Sequence, residues 1–162
     1  MTVLPIRVVP DPILKQKSKR VKAIDGSIKK LTANMLETLH AAPGRVGLAA
    51  PQVGVSLRVV VIGIAEGEDI VLINPEIVRR EGERMVTEGC LSIPGYFGVV
   101  KRSESVRVKA RDVRGKEIKI KADELLAQAL EHEVDHLNGV LYIDHLESPD
   151  KLYKVEPETP QL

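Results

Sequence analysis

Apolar and polar positions alternate along two neighbouring stretches near the middle of the chain. Over residues 105–112, Val106, Val108 and Ala110 fall on one side and charged side chains on the other, and 116–121 repeats the pattern with Ile118 and Ile120. A period of two makes half-buried strands, and Arg114-Gly115 between them supplies the turn of an antiparallel hairpin. Residues 58–65 and 70–78 are Val- and Ile-rich strand candidates, and 84–92 is a weaker one, followed by a turn at Pro94-Gly95. Helical spacing occurs twice. Ile28, Leu31, Met35 and Leu39 share one face of a helix over 27–40, with Asp25 or Ser27 as its cap and Pro43-Gly44 ending it. A second helix covers 122–138 and stops at Gly139. The pattern further predicts a short helix near 12–18, an extended strand or loop over 46–55, and a short last strand over 140–143.

Strands that pair as hairpins, with two main helices, favour an α+β fold over a parallel doubly wound sheet. The expectation is one domain over 1–146, with antiparallel sheets packed around the second helix, and a surface tail over 147–162, where prolines and charges accumulate. The length of 162 residues suits a single domain. Aromatic residues make up only 2%, so the core must be aliphatic, and platforms for stacking bases are scarce. A net charge of +1 offers no strongly basic footprint, which argues against a specific nucleic-acid partner. Small basic clusters such as 15–20 leave docking on something anionic open. The longest apolar run, 59–65, is far short of a membrane span. Prolines interrupt the first residues, which do not read as a signal peptide, and the lone Cys90 can form no intramolecular disulfide. Cytoplasm is the expected setting, with an organellar matrix as the other reducing choice.

The chemistry concentrates on the second helix, in HEVDH at 132–136. Two histidines one turn apart can share a metal ion, and the glutamate beside the first can reach the open position and handle protons. At about 100° per residue, Glu124, Gln128, Glu131, Asp135 and Asn138 form a polar stripe, of which Glu131 and Asp135 are read as solvent-facing. Glu133 instead falls among Leu126, Leu130, Val134 and Leu137. An inward carboxylate without a partner is expensive, and a metal-bound water or a polar pocket would relieve it. The plainer alternative is a buried histidine pair bonded to carbonyls, with Glu133 salt-bridged to a basic residue.

A catalytic site of this kind takes a third protein ligand. His40, His145, the carboxylates and Cys90 are the candidates. Cys90 is favoured because it stands in EGCLS, outside any obvious core run, and because a thiolate with two imidazoles suits a borderline-soft divalent ion.

Three segments in this order, VGLAAPQ (46–52), EGCLS (88–92) and HEVDH (132–136), resemble the peptide deformylases, and the flanks extend the likeness over residues 3–146. The resemblance implies a hydrolase that removes the formyl group from N-formylmethionine at the start of new proteins. It makes Cys90, His132 and His136 the ligands of one divalent metal ion, Fe²⁺ in most members with Zn²⁺, Ni²⁺ or Co²⁺ as substitutes, and puts water in the fourth position. Glu133 becomes the general base and then acid, while the Gln52 side chain and the Leu91 backbone N–H become donors to the oxyanion. Val46 and Gly47 become the edge that pairs with the peptide, Gly89 lines the site, and Leu125 and Ala129 are candidates for the methionine pocket, along with Tyr96 or Phe97. Glu88 is read as a structural carboxylate. The partners implied are N-formylmethionyl peptides, with a transient ribosome contact left open. Arg45 and Glu131 stand where the family often has Gly and Gln. The rival readings are a zinc endopeptidase built on the same HExxH and a purely structural metal site.

Overall fold

Residues 59–62, Val-Val-Val-Ile, are buried on both faces, and the rest of the molecule is arranged around that fact. The structure is a computed structural model that describes residues 2–64 and 67–154. Helix α1 (Gly26–Leu39) starts at Asp25, whose carboxylate accepts the backbone N–H of Ser27 and Ile28. Strands β1 (Gly47–Ala49), β2 (Val59–Ile62), β3 (Ile70–Glu81), β6 (Ser105–Arg111) and β7 (Glu117–Asp123) form one antiparallel sheet in the order β1-β2-β3-β6-β7. Strands β4 (Arg84–Cys90), β5 (Ile93–Arg102) and β8 (Leu152–Lys154) form a second, in the order β4-β5-β8. Helix α2 (Glu124–Leu137) lies between the sheets. The architecture is α+β, as its alternation predicts.

Alternation in β2 decides which helix packs where. Val59 and Val61 join Ile28, Met35 and Leu39 of α1, whereas Val60 and Ile62 join Ala127, Leu130 and Leu137 of α2. The predicted hairpin provides Val106, Val108 and Ala110 to the α2 side. Leu130 is fully buried there. Leu130→Ala is therefore expected to lower unfolding free energy by about 2–5 kcal/mol, read as a fall in the urea midpoint at unchanged slope.

Four expectations need correction. The segment 140–143 is no strand: a 3-10 turn, Tyr142–His145, replaces it, closed by Asp144 accepting the N–H of Leu141. The Pro94-Gly95 turn lies inside β5, a ten-residue strand whose Pro and Gly positions hid its alternation. The first helix shrinks to a 3-10 turn, Pro12–Lys15. The tail does not begin at 147, because 149–151 turn and β8 pairs with β5, Tyr96 opposite Lys154 and Phe97 opposite Tyr153. Residues 155–162 of that tail lie outside the described residues.

Candidate metal centre

Helix spacing brings His132 and His136 together, and their Nε2 atoms lie 3.2 Å apart. Cys90 arrives from the end of β4, where the pairing with β5 shifts register between Glu88 and Cys90. The shift turns its Sγ to 3.3 Å from His136 Nε2. One ligand atom from each of the three residues falls within 4.8 Å of the others, and all three residues are buried. The other histidines are engaged elsewhere: His40 Nε2 sits 2.9 Å from Asp69, and His145 Nε2 sits 2.9 Å from Asp135.

A chain of charge-assisted hydrogen bonds fixes His132, the first candidate ligand. His132 Nδ1 lies 2.6 Å from Glu88 Oε1, which leaves Nε2 facing the centre. Arg102 grips both Glu88 oxygens at 2.7 Å and reaches Asp135 with its third nitrogen, also at 2.7 Å. Burial works against the charge of Glu88, yet the Arg102 guanidinium and His132 hold its carboxyl at about 2. Such outer partners orient a ligating imidazole and raise its basicity. Arg102 is itself buried. Arg102→Ala strands the Glu88 and Asp135 carboxylates in the interior, with an expected stability loss of about 3–5 kcal/mol by chemical denaturation.

Glu133 behaves differently. It is fully buried, and neither of its carboxylate oxygens has a hydrogen-bond partner among the described residues. Burial pushes its carboxyl up to about 7, with His132 opposing the shift. Burial and the charge of His132 drive His136 well below the usual range; His132 moves up despite burial, because Glu133 and Glu88 flank it. The neighbour of Glu133 is the backbone of β1. A Cβ placed on Gly47 would lie 2.5 Å from Glu133 Oε2, so any larger residue there would push the Glu133 carboxylate aside. Among the described residues, strand β1 pairs only with β2 and is the edge of its sheet.

The remaining predicted residues group around this edge with varying closeness. Gln52 is buried in the 3-10 turn after β1; its Oε1 accepts the Ala49 N–H, and its Nε2 donates to Ser92 Oγ at 3.1 Å and faces Cys90 Sγ at 3.6 Å. Leu91 is in the tight turn directly after Cys90, and Gly89 is buried just before it. Ala129 is buried, while Leu125 is 40% exposed and lines, with Val46, a concavity of about 630 Å³. Phe97 is not part of this group, since its ring packs against Tyr153 at 5.5 Å.

Two carboxylates read as solvent-facing are not. Glu131 is buried, accepting the Ser103 N–H at 2.6 Å and an Arg80 hydrogen bond at 3.2 Å. Asp135 is engaged by Arg102 and His145. Sequence reasoning missed Arg102 altogether. Its signal is an arginine at an inward position of β5, in register with buried Gly98 and Val100, where a paired carboxylate is obligatory.

The donor set suits a divalent cation: a thiol and two imidazoles converge, as borderline-soft ions prefer. Three protein ligands leave a position open for chemistry. The orphaned Glu133 oxygens beside them are a further sign that the site receives a polar group absent from the chain itself.

A polypeptide deformylase family model matches residues 3–152. A peptide deformylase of Dehalococcoides mccartyi is 54% identical over 98% of this chain and 95% of its own length. Among solved structures, a peptide deformylase from Legionella pneumophila superposes with a TM-score of 0.88 at 47% identity, covering 93% of this chain and 89% of that one. The enzyme from Synechococcus elongatus in complex with actinonin gives 0.87 at 43% identity, covering 91% and 81%.

Proposed function

The chain belongs to the polypeptide deformylase family, and we propose that it removes the formyl group of N-formylmethionyl peptides at a metal ion held by Cys90, His132 and His136. As a family member it is a metal-dependent hydrolase acting on formylated nascent peptides. The observation that carries the residue-level reading is the unpartnered Glu133 carboxylate beside the three converging ligand atoms and the Gly47 edge. When bound, the ion, which we assign as Fe²⁺ with Zn²⁺, Ni²⁺ or Co²⁺ able to replace it, supplies Lewis-acid chemistry that acidifies water and polarises a carbonyl.

The chain's own residues do the rest. An extended substrate adds a strand to the free edge of β1 at Val46 and Gly47, with Gly89 leaving room opposite. Leu125 and Ala129 border the methionine side chain. The formyl oxygen accepts hydrogen bonds from the Leu91 N–H and from Gln52 Nε2, which exchanges its bond to Ser92 Oγ for this one. A donor of that kind is worth roughly 3 kcal/mol at the developing oxyanion. Glu133 takes the proton of the attacking water on a carboxylate oxygen and delivers it to the departing amine nitrogen. A carboxyl poised at about 7 can do both near neutral pH. Formate and a free amino terminus leave.

We further assign the enzyme to the cytoplasm or an organellar matrix, where Cys90 stays reduced, with transient ribosome contact as it meets its substrates. Among the described residues no helix is long and apolar enough to cross a membrane. The test is a paired assay on a formylmethionyl peptide and its acetylmethionyl counterpart. Formate release from the first, with the second and all internal bonds intact, is expected; cleavage of internal bonds instead would move the site to the endopeptidases.

A further inference from the structure

The face of the five-stranded sheet turned away from α2 places cations directly opposite cations. Arg79, Arg107 and Lys121 stand in register across β3, β6 and β7, and Lys109 faces Lys119 in the next row. All five are exposed. Like charges directly opposite each other weaken a sheet, so folding alone does not account for them. Arg79 has Glu81 at 2.7 Å and Lys109 has Glu117 at 3.6 Å; Arg107, Lys119 and Lys121 have no salt-bridge partner among the described residues.

Four of these cations, Arg107, Lys109, Lys119 and Lys121, line a groove. A concavity of about 580 Å³ beside Arg107 and Lys121 adjoins one of about 170 Å³ through Lys109, and that adjoins a third of about 660 Å³ through Arg20 and Arg111. Lys22 and Arg114 extend the basic lining at the far end, and among the described residues Glu76 and Glu117 are the only acids along its length. A net charge of +1 conceals this concentration, because the acids lie elsewhere.

We propose that this groove docks the phosphate backbone of duplex RNA. An elongated, basic, concave track fits a linear polyanion better than the plane of a bilayer; of the apolar residues that line it only Val78 is exposed, too little apolar surface to anchor a protein in lipid. No aromatic residue lines it, which removes the stacking that single strands need. Recognition through phosphates alone is sequence-independent and salt-sensitive. The choice of RNA rests on the deformylase reading, since the substrates are new chains issuing from a particle built on structured RNA. Because Val106, Val108 and Ala110 point the other way, toward α2, the groove and the β1 edge lie apart, and catalysis continues while the chain is docked.

The test is fluorescence anisotropy of a short labelled RNA duplex titrated with the metal-loaded full chain over a range of salt. Binding at low salt, falling log-linearly as salt rises, is expected, and the double variant Lys109→Glu/Lys119→Glu should weaken it by about tenfold or more. Its formate release from a free formylmethionyl peptide should be unchanged. Equal RNA binding by the variant, no binding at low salt, or tighter binding to phosphatidylserine vesicles or to a DNA duplex of the same sequence would overturn the proposal. Charge-dependent RNA binding without formate release from either form would uphold the groove and sink the deformylase reading instead.

Discussion

Glu133→Ala is expected to keep its metal and lose about 10²- to 10⁴-fold in the rate of formate release. The reasoning starts from burial. Glu133 is fully enclosed, its oxygens bond to nothing among the described residues, and a side chain in place of Gly47 would displace its carboxylate. It contributes nothing to the hydrogen-bond chain of His132, Glu88, Arg102 and Asp135, so its removal should leave the ligands oriented. The loss should fall on kcat with KM little changed, because a group that moves protons acts in the transition state. Glu133→Gln, which preserves the volume, should lose nearly as much. Metal analysis on the same samples separates this outcome from loss of the ion, and turnover within a few fold of the parent would remove Glu133 from the mechanism.

Cys90→Ala has the second large effect, on affinity for the metal. Disturbing an outer partner of a metal ligand costs about 10- to 100-fold in affinity or activity; deleting a ligand outright should exceed that. The cysteine packs in the cluster of Leu14, Ile93, Val100 and Tyr142, and alanine keeps most of that contact, so the fold should survive with a modest loss of stability. Competition with a chelator, followed by metal analysis under anaerobic conditions, reads the change. Full occupancy in the variant, together with cleavage of internal peptide bonds, would favour an HExxH peptidase that recruits a different third ligand.

Several residues read by local pattern came out where the pattern put them. The β6–β7 hairpin, the face of α1 and the inward direction of Glu133 follow from period and spacing within one segment. The departures around the site involve a partner distant along the chain. A helix wheel assumes one buried face, but α2 is enclosed between two sheets, and its polar stripe is satisfied by Arg80, Arg102 and Ser103. Glu131 and Asp135 therefore look like surface residues in sequence and act as internal anchors in the fold. Strand β5 was obscured because Pro94, Gly95 and Gly98 interrupt its apolar rhythm, and with it Arg102, the residue that ties the Glu88 support of His132 to the rest of α2. Cys90 is the least secure candidate ligand by composition, since a small buried thiol is ordinary core material; the register shift that aims it at His136 is a property of strand pairing, not of neighbouring residues.

The most direct test of the central claim is a metal titration of the chelated chain under argon, following formate released from a formylmethionyl peptide. Activity that is absent at the start, rises with added Fe²⁺ and levels off at one ion per chain is the expected result. Formate release before any metal is added, or a plateau that Cys90→Ala reaches at the same metal concentration, would contradict it.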